Sequence, residues 1–186
     1  NQLAQLSPDT NGVTRWDIPG TSLFGTAVDA QGAIWLTDYI HPRVYQFTVS
    51  TSQLCTYTYG TTGGGYYIVA DGSDIWLGDL RSDSIHQLNR TTNTLTSWTL
   101  PELEDAEQQG LAIDAQHNFW WTEPYLGYLQ RLEPGSDRLT TFALPYGSSP
   151  EMLTAYNGTI WYTEDTAGTI GSLDPATASG TSQTMT

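Results

Sequence analysis

Apolar residues in this chain come in short alternating bursts, and the bursts recur on a fixed beat. Ile34-Trp35-Leu36-Thr37-Asp38 is echoed by Ile75-Trp76-Leu77-Gly78-Asp79, Phe119-Trp120-Trp121-Thr122-Glu123 and Ile160-Trp161-Tyr162-Thr163-Glu164. The leading tryptophans step by 41, 44 and 41 residues. Leu6, Phe47, Leu88, Leu132 and Leu173 keep the same beat, as do Trp16, Tyr57, Trp98 and Phe142. A period in the forties marks a repeat architecture. Each repeat reads as four short extended segments, which in the first full copy cover 26–29, 33–38, 44–49 and 54–59. These segments are rich in Val, Ile, Thr, Tyr and Trp, which suit a pleated surface. Gln31-Gly32, Asp71-Gly72, Gln116-His117-Asn118 and Asn157-Gly158 fall where tight turns between the first two segments are needed. Gly and Asn there supply the positive φ of a hairpin. No window of ten residues shows helical spacing. The three extra residues of the third repeat lie between Trp98 and Trp120, in the acidic stretch 101–107, which suits a surface loop.

Four strands in about 40 residues form one blade of a β-propeller. A β-helix would need shorter, more constant rungs, and an immunoglobulin-type sandwich would not hold one register over four copies. The chain is predicted to be all-β, a propeller of four-stranded antiparallel blades with about four and a half blades visible. A half-blade covers 1–19, and blades cover about 20–59, 60–101, 102–145 and 146–186. Segments 3–8 and 13–19 match the third and fourth strands of a blade. The fourth strand of the final blade is placed near 180–186. This reads as an open arc or part of a larger ring. Proteins cover unpaired strand edges and bare apolar faces. Another polypeptide, the rest of the ring or a partner subunit, is therefore expected against 3–18 and against the outer face of 152–186.

The charge balance narrows the function classes. Twenty acidic residues face six basic ones, all arginine, giving a net charge of −14 without a single lysine. Nucleic-acid binding needs phosphate-neutralising charge, so this surface argues against it. It equally disfavours anionic membranes, and no segment has the length and apolarity of a transmembrane helix. An extracytoplasmic setting, secreted, periplasmic or cell-surface, is the expectation. Cys55 is the only cysteine, so no internal disulfide forms, and it reads as a small strand residue.

The run from Gly110 to Glu123, reading Gly-Leu-Ala-Ile-Asp-Ala-Gln-His-Asn-Phe-Trp-Trp-Thr-Glu, resembles the repeat of the streptogramin lyase family. So do Thr169-Ile170-Gly171-Ser172-Leu173-Asp174-Pro175 and the strand exits Ile18-Pro19, Leu100-Pro101 and Leu144-Pro145. The resemblance covers nearly the whole chain. It implies a propeller, seven-bladed in the lyases. It also implies a chemistry, opening of a cyclic depsipeptide ester by elimination, with a histidine base, acidic neighbours and magnesium. In that family the catalytic histidines lie around the channel mouth, notably just before the glycine that opens a blade. The matching positions here are Phe24, Gly65, Gln109 and Pro150, and none is histidine. On the visible blades the resemblance therefore carries over no catalytic residue.

Two constellations remain as candidate sites. Asp38, Asp79, Glu123 and Glu164 end successive second strands and place one carboxylate per blade near the same rim. A ring of such oxygens is a candidate site for Mg²⁺ or Ca²⁺; alternatively each carboxylate accepts backbone N–H bonds from its own loop or the next blade. Tyr39, His41, Tyr66, Tyr67, Trp121 and Tyr125 lie near strand ends and are candidate ligand contacts, suited to stacking on a sugar or a peptide, or to packing at an interface. His86 falls in a third strand and His117 in the turn between first and second strands, on the opposite face. The reading is a non-catalytic binding or assembly module, a scaffold for protein–protein interaction. The alternatives are a lyase whose catalytic blades lie outside this chain, and a surface-layer or filament subunit.

Overall fold

A computed structural model describes residues 1–19, 22–60, 63–79, 81–101 and 107–184. Most of the loop predicted over 101–107 lies outside the described residues. Among the described residues every regular element is a strand. The half-blade is the hairpin of β1 (Gln2–Ser7) and β2 (Gly12–Asp17). The first full blade is β3 (Leu23–Val28), β4 (Ile34–Asp38), β5 (Arg43–Thr48) and β6 (Gln53–Thr58), paired in that order. The second is β7 (Gly65–Asp71), β8 (Asp74–Asp79), β9 (Ser84–Asn89) and β10 (Thr94–Thr99). The third is β11 (Gln109–Ile113), β12 (Phe119–Glu123), β13 (Tyr128–Glu133) and β14 (Arg138–Ala143). The last holds β15 (Pro150–Tyr156), β16 (Thr159–Glu164) and β17 (Thr169–Leu173). All pairings are antiparallel. The turns carry the expected positive φ: 79° at Gly32, 60° at Gly72, 61° at His117 and 78° at Gly158.

One strand departs from expectation. The segment predicted as the outer strand of the last blade forms β18 (Thr181–Thr184), but it pairs with β14 of the third blade. That sheet has five strands and the last has three. The segment is polar, so no apolar alternation fixes its register. Thr140 and Ser182 share a hydroxyl hydrogen bond of 3.0 Å across the new pair.

The alternation of strand residues explains the packing. In the first blade Ala27, Trp35 and Gln46 are cross-strand neighbours and share one face, while Ile34 and Phe47 lie on the other. The tryptophan face packs on the following blade. Trp35, Val44 and Tyr59 meet Ile75, Leu77 and Leu88. Trp76, Ile85 and Trp98 meet Phe119, Trp121 and Leu132. Trp120, Leu129 and Phe142 meet Leu153, Ile160 and Tyr162. The same interface is thus built three times. The half-blade joins this stack through Trp16, whose ring centroid lies 5.3 Å from that of Phe47.

The first strands approach their neighbours at backbone distance. A Cβ on Gly110 would lie 2.5 Å from the Glu151 carbonyl oxygen and 2.7 Å from the Met152 Cα. Thr122 donates its hydroxyl to the same Glu151 carbonyl at 2.6 Å. Thr37 repeats this bond to the Tyr66 carbonyl at 3.0 Å, beside Gly25.

One repeat position shared by four tryptophans predicts the same burial in all four blades. Trp35, Trp76 and Trp120 are 0%, 2% and 0% exposed, but Trp161 is 43% exposed. It lies on the face that in the other blades meets a following blade. Met152, Tyr156 and Ile170 are exposed with it.

Candidate functional site at the blade rim

Strand pairing brings the start of each first strand beside the end of each second strand. Leu23 pairs with Asp38, Gly65 with Asp79 and Pro150 with Glu164. The carboxylates therefore share one rim with Tyr39, Tyr66 and Tyr67.

The carboxylates are turn anchors. Asp38 Oδ1 accepts from the Ile40 and His41 amides at 3.0 and 3.1 Å, and Asp38 Oδ2 accepts from the Tyr45 hydroxyl at 3.1 Å. Burial pulls the Asp38 carboxyl upward, but these bonds and His41 outweigh it and hold it below the usual range. Asp79 Oδ1 accepts from the Gly64, Arg81 and Ser82 amides. Glu123 accepts from the Glu107 amide at 2.7 Å and from the Trp121 indole at 2.8 Å. Glu164 accepts from the Ser149 amide at 2.7 Å. Each carboxylate anchors loops of its own blade through at least one oxygen. Among the described residues no three His, Cys, Asp or Glu side chains gather to hold a metal ion. The rim as built does not gather the oxygen ligands that Mg²⁺ or Ca²⁺ needs.

The Glu123 carboxyl is almost wholly buried, in a residue 1% exposed. Burial pushes it up to about 7, the Trp121 and Glu107 bonds oppose, and the nearby acids Asp83 and Glu107 add to the rise.

Four aromatic rings gather on the rim of the first two blades. Phe24 and Tyr66 lie 3.8 Å apart between centroids at 31°. Tyr67 stands at 87° to Phe24, 5.8 Å away, and Tyr39 stands at 85° to Tyr66, 6.5 Å away. Phe24 is 47% exposed, and Tyr39 is exposed too. The setting is acidic: burial, then Glu151, Tyr66 and Glu107, push the Tyr67 hydroxyl up. Burial, Asp165 and Glu107 likewise raise Glu151. Such a platform suits stacking on a planar or positively charged group. It does not supply a base, because the position before Gly25 is a phenylalanine packed into the cluster.

The remaining candidates scatter. Trp121 is fully buried, packed against Phe119 with its indole nitrogen on Glu123, and it does not reach the rim surface. Tyr125 is exposed beside Tyr146 and Pro145, around a groove of about 460 Å³ on the third blade. His41 is held through Nδ1 to Asp38 Oδ2 at 3.1 Å. His86 is buried, and burial lowers its pKa. His117 bonds Asp71 at 2.5 Å on the opposite side, and that bond raises its pKa.

Sequence reading missed two features. Phe24 stands in the sequence only as a position without histidine, yet it joins the aromatic cluster. The other is a clamp inside the repeat: Trp35 donates its indole N–H to Asp29 at 2.8 Å, and Trp120 does the same to Asp114 at 2.8 Å. The i to i+6 spacing across the hairpin was the available signal.

No protein-family model matches the chain, and no curated protein matches it. Solved structures do. Virginiamycin B lyase from Staphylococcus aureus superposes with a TM-score of 0.83 at 18% identity, over 99% of this chain and 63% of the lyase. A streptogramin B lyase gives 0.77 at 18% identity, over 91% of this chain and 56% of that one. The Cps50 (Swd1) β-propeller domain of Myceliophteria thermophila gives 0.78 at 9% identity, over 94% of this chain and 64% of that domain. The chain thus spans less than two thirds of each. At these identities the likeness establishes the fold, and the fold is an arc of β-propeller blades like those of virginiamycin B lyase.

Proposed function

We propose that the chain is an extracytoplasmic, non-catalytic binding and assembly module, and that its open blade face docks a further β-propeller blade from another polypeptide segment. The carrying observation is Trp161. Its equivalents in three blades are at most 2% exposed under a following blade, whereas Trp161 is 43% exposed beside Met152, Tyr156 and Ile170. The chemistry of the docking blade follows from the interface already repeated three times. It presents an Ile or Phe and a bulky residue two positions on, as Ile75 and Leu77, Phe119 and Trp121, or Ile160 and Tyr162 do. The half-blade offers a second such surface through exposed Leu6 and Val13, which are direct cross-strand partners. The acidic, lysine-free composition supports an extracytoplasmic setting and speaks against nucleic acid.

A photo-crosslinking residue at position 152 tests the docking in protein isolated from its source. The expected product is a crosslink to a strand with the Ile/Leu blade pattern, lost when Trp161→Glu is added. Monodisperse monomer without crosslinks overturns the assembly reading.

The fold likeness also raises a lyase reading. Phe24, Gly65, Gln109 and Pro150 stand where the resemblance requires a histidine, so the purified chain is expected not to linearise a streptogramin B depsipeptide. Turnover abolished by His41→Ala would replace the binding reading with an enzymatic one.

A further inference from the structure

We propose that Tyr59, Asp79 and His86 together hold one internal water molecule at the seam between the first and second full blades. Tyr59 follows β6 of the first blade; Asp79 ends β8 and His86 lies in β9 of the second. All three residues are buried. The Tyr59 hydroxyl, Asp79 Oδ2 and His86 Nε2 are sealed from solvent, and none meets a hydrogen-bonding partner in the protein. Leaving one such atom bare is costly, and three at one seam need a common cause.

The geometry supplies one. Asp79 spends Oδ1 on three amides, which leaves Oδ2 turned inward. His86 spends Nδ1 on Ser97 Oγ at 2.7 Å, which leaves Nε2 turned inward. Asp79 Oδ2 and His86 Nε2 face each other at 4.0 Å. The Tyr59 ring lies 4.6 Å from the His86 ring at 38°, and its hydroxyl pKa is driven up by burial and then by Asp79.

A gap of 4.0 Å is too long for a direct hydrogen bond. One water at about 2.8 Å from each atom spans it with an angle near ~90° at the water oxygen. A tetrahedral metal with bonds of about 2.1 Å needs its ligands only roughly 3.4 Å apart, so the gap fits water better. The donors balance as well. With His86 Nδ1–H donating to Ser97 Oγ, the Tyr59 hydroxyl donates to the water, and the water donates one hydrogen to Asp79 Oδ2 and the other to His86 Nε2. A groove of about 290 Å³ lined by Tyr57, Tyr59, Leu77 and Leu88 lies on the Tyr59 side of the seam. The water would complete a polar path from Ser97 on the outer strand, through His86, to the rim carboxylate Asp79, and it would tie Tyr59 of one blade to the next.

The test is a high-resolution crystal structure of the chain combined with ¹⁷O relaxation dispersion. The expected map shows one peak without anomalous signal within about 3 Å of all three atoms. Tyr59→Phe, which removes only the hydroxyl, is expected to shorten the residence of one long-lived water by about tenfold, the equivalent of one lost hydrogen bond. Direct contact between Asp79 and His86 with no density between them would overturn the proposal. So would an anomalous metal peak at the site, or an unchanged dispersion profile in Tyr59→Phe.

Discussion

Trp120→Ala is expected to destabilise the chain by roughly 3–5 kcal/mol. Trp120 is fully buried and stacks on Phe142 at 5.3 Å and 24°. The Arg131 guanidinium lies over it at 5.4 Å, and Asp114 takes its indole N–H. Truncation removes a large aromatic from the seam with Leu153, Ile160 and Tyr162, and it leaves the Asp114 carboxylate short of a donor. Trp161→Ala is the matched control, because it occupies the same repeat position with its face open. In the chain alone that substitution is expected to cost less than about 1 kcal/mol, in the range of surface changes. Urea unfolding followed by fluorescence separates the two. Equal shifts, or a Trp120 shift below about 1 kcal/mol, would sink the assignment of Trp120 to the blade seam.

The contrast between these two tryptophans shows what the sequence could and could not convey. The period locates Trp35, Trp76, Trp120 and Trp161 at one position of one repeat, and hence the strands, the turns and the propeller. Periodicity carries no information about what lies across an interface. Trp161 therefore reads as buried until the structure shows that none of the described residues forms a blade over it. The same limit applies to β18. Thr181, Ser182, Gln183 and Thr184 offer no apolar face to choose a partner strand, so chain order suggested β17 and the structure pairs them with β14.

At the rim, the repeated carboxylates were visible because they end every second strand. Their amide bonds are local and follow from strand-end geometry. The aromatic cluster was only partly visible. Tyr39, Tyr66 and Tyr67 stand out as breaks in the pattern, but Phe24 joins them through the contact of adjacent blades, 42 positions away from Tyr66 in sequence. Trp121 occupies the repeat position of Leu36, Leu77 and Tyr162, all buried, so strand alternation turns it inward, and Glu123 accepts its indole N–H there.

That same carboxylate leads to the second large expected effect. Glu123 is 1% exposed, and burial pushes it up to about 7, well above its value of about 4.3 in an unfolded chain. Below about pH 4 both states hold the proton, and the group contributes no pH dependence. Between about pH 4.3 and 7 the unfolded chain ionises while the folded chain keeps its proton, so stability falls as pH rises. Above about pH 7 the loss is complete, on the order of 3 kcal/mol. His86 acts with the opposite sign in part of this window. Burial depresses its pKa, so the unfolded chain takes up the proton first as pH falls, and folding stability is lost on acidification. Raw pH profiles therefore mix the two groups. Glu123→Gln separates them, because His86 is unchanged in the variant. Glutamine retains a carbonyl for the Trp121 indole or the Glu107 amide but cannot ionise, and its fixed cost does not vary with pH. The difference in unfolding free energy between wild type and Glu123→Gln is expected to move by about 3 kcal/mol in favour of the variant from pH 4.5 to 8. Parallel profiles over that range would show that Glu123 is ionised in the folded chain, and that the rim tolerates the buried charge.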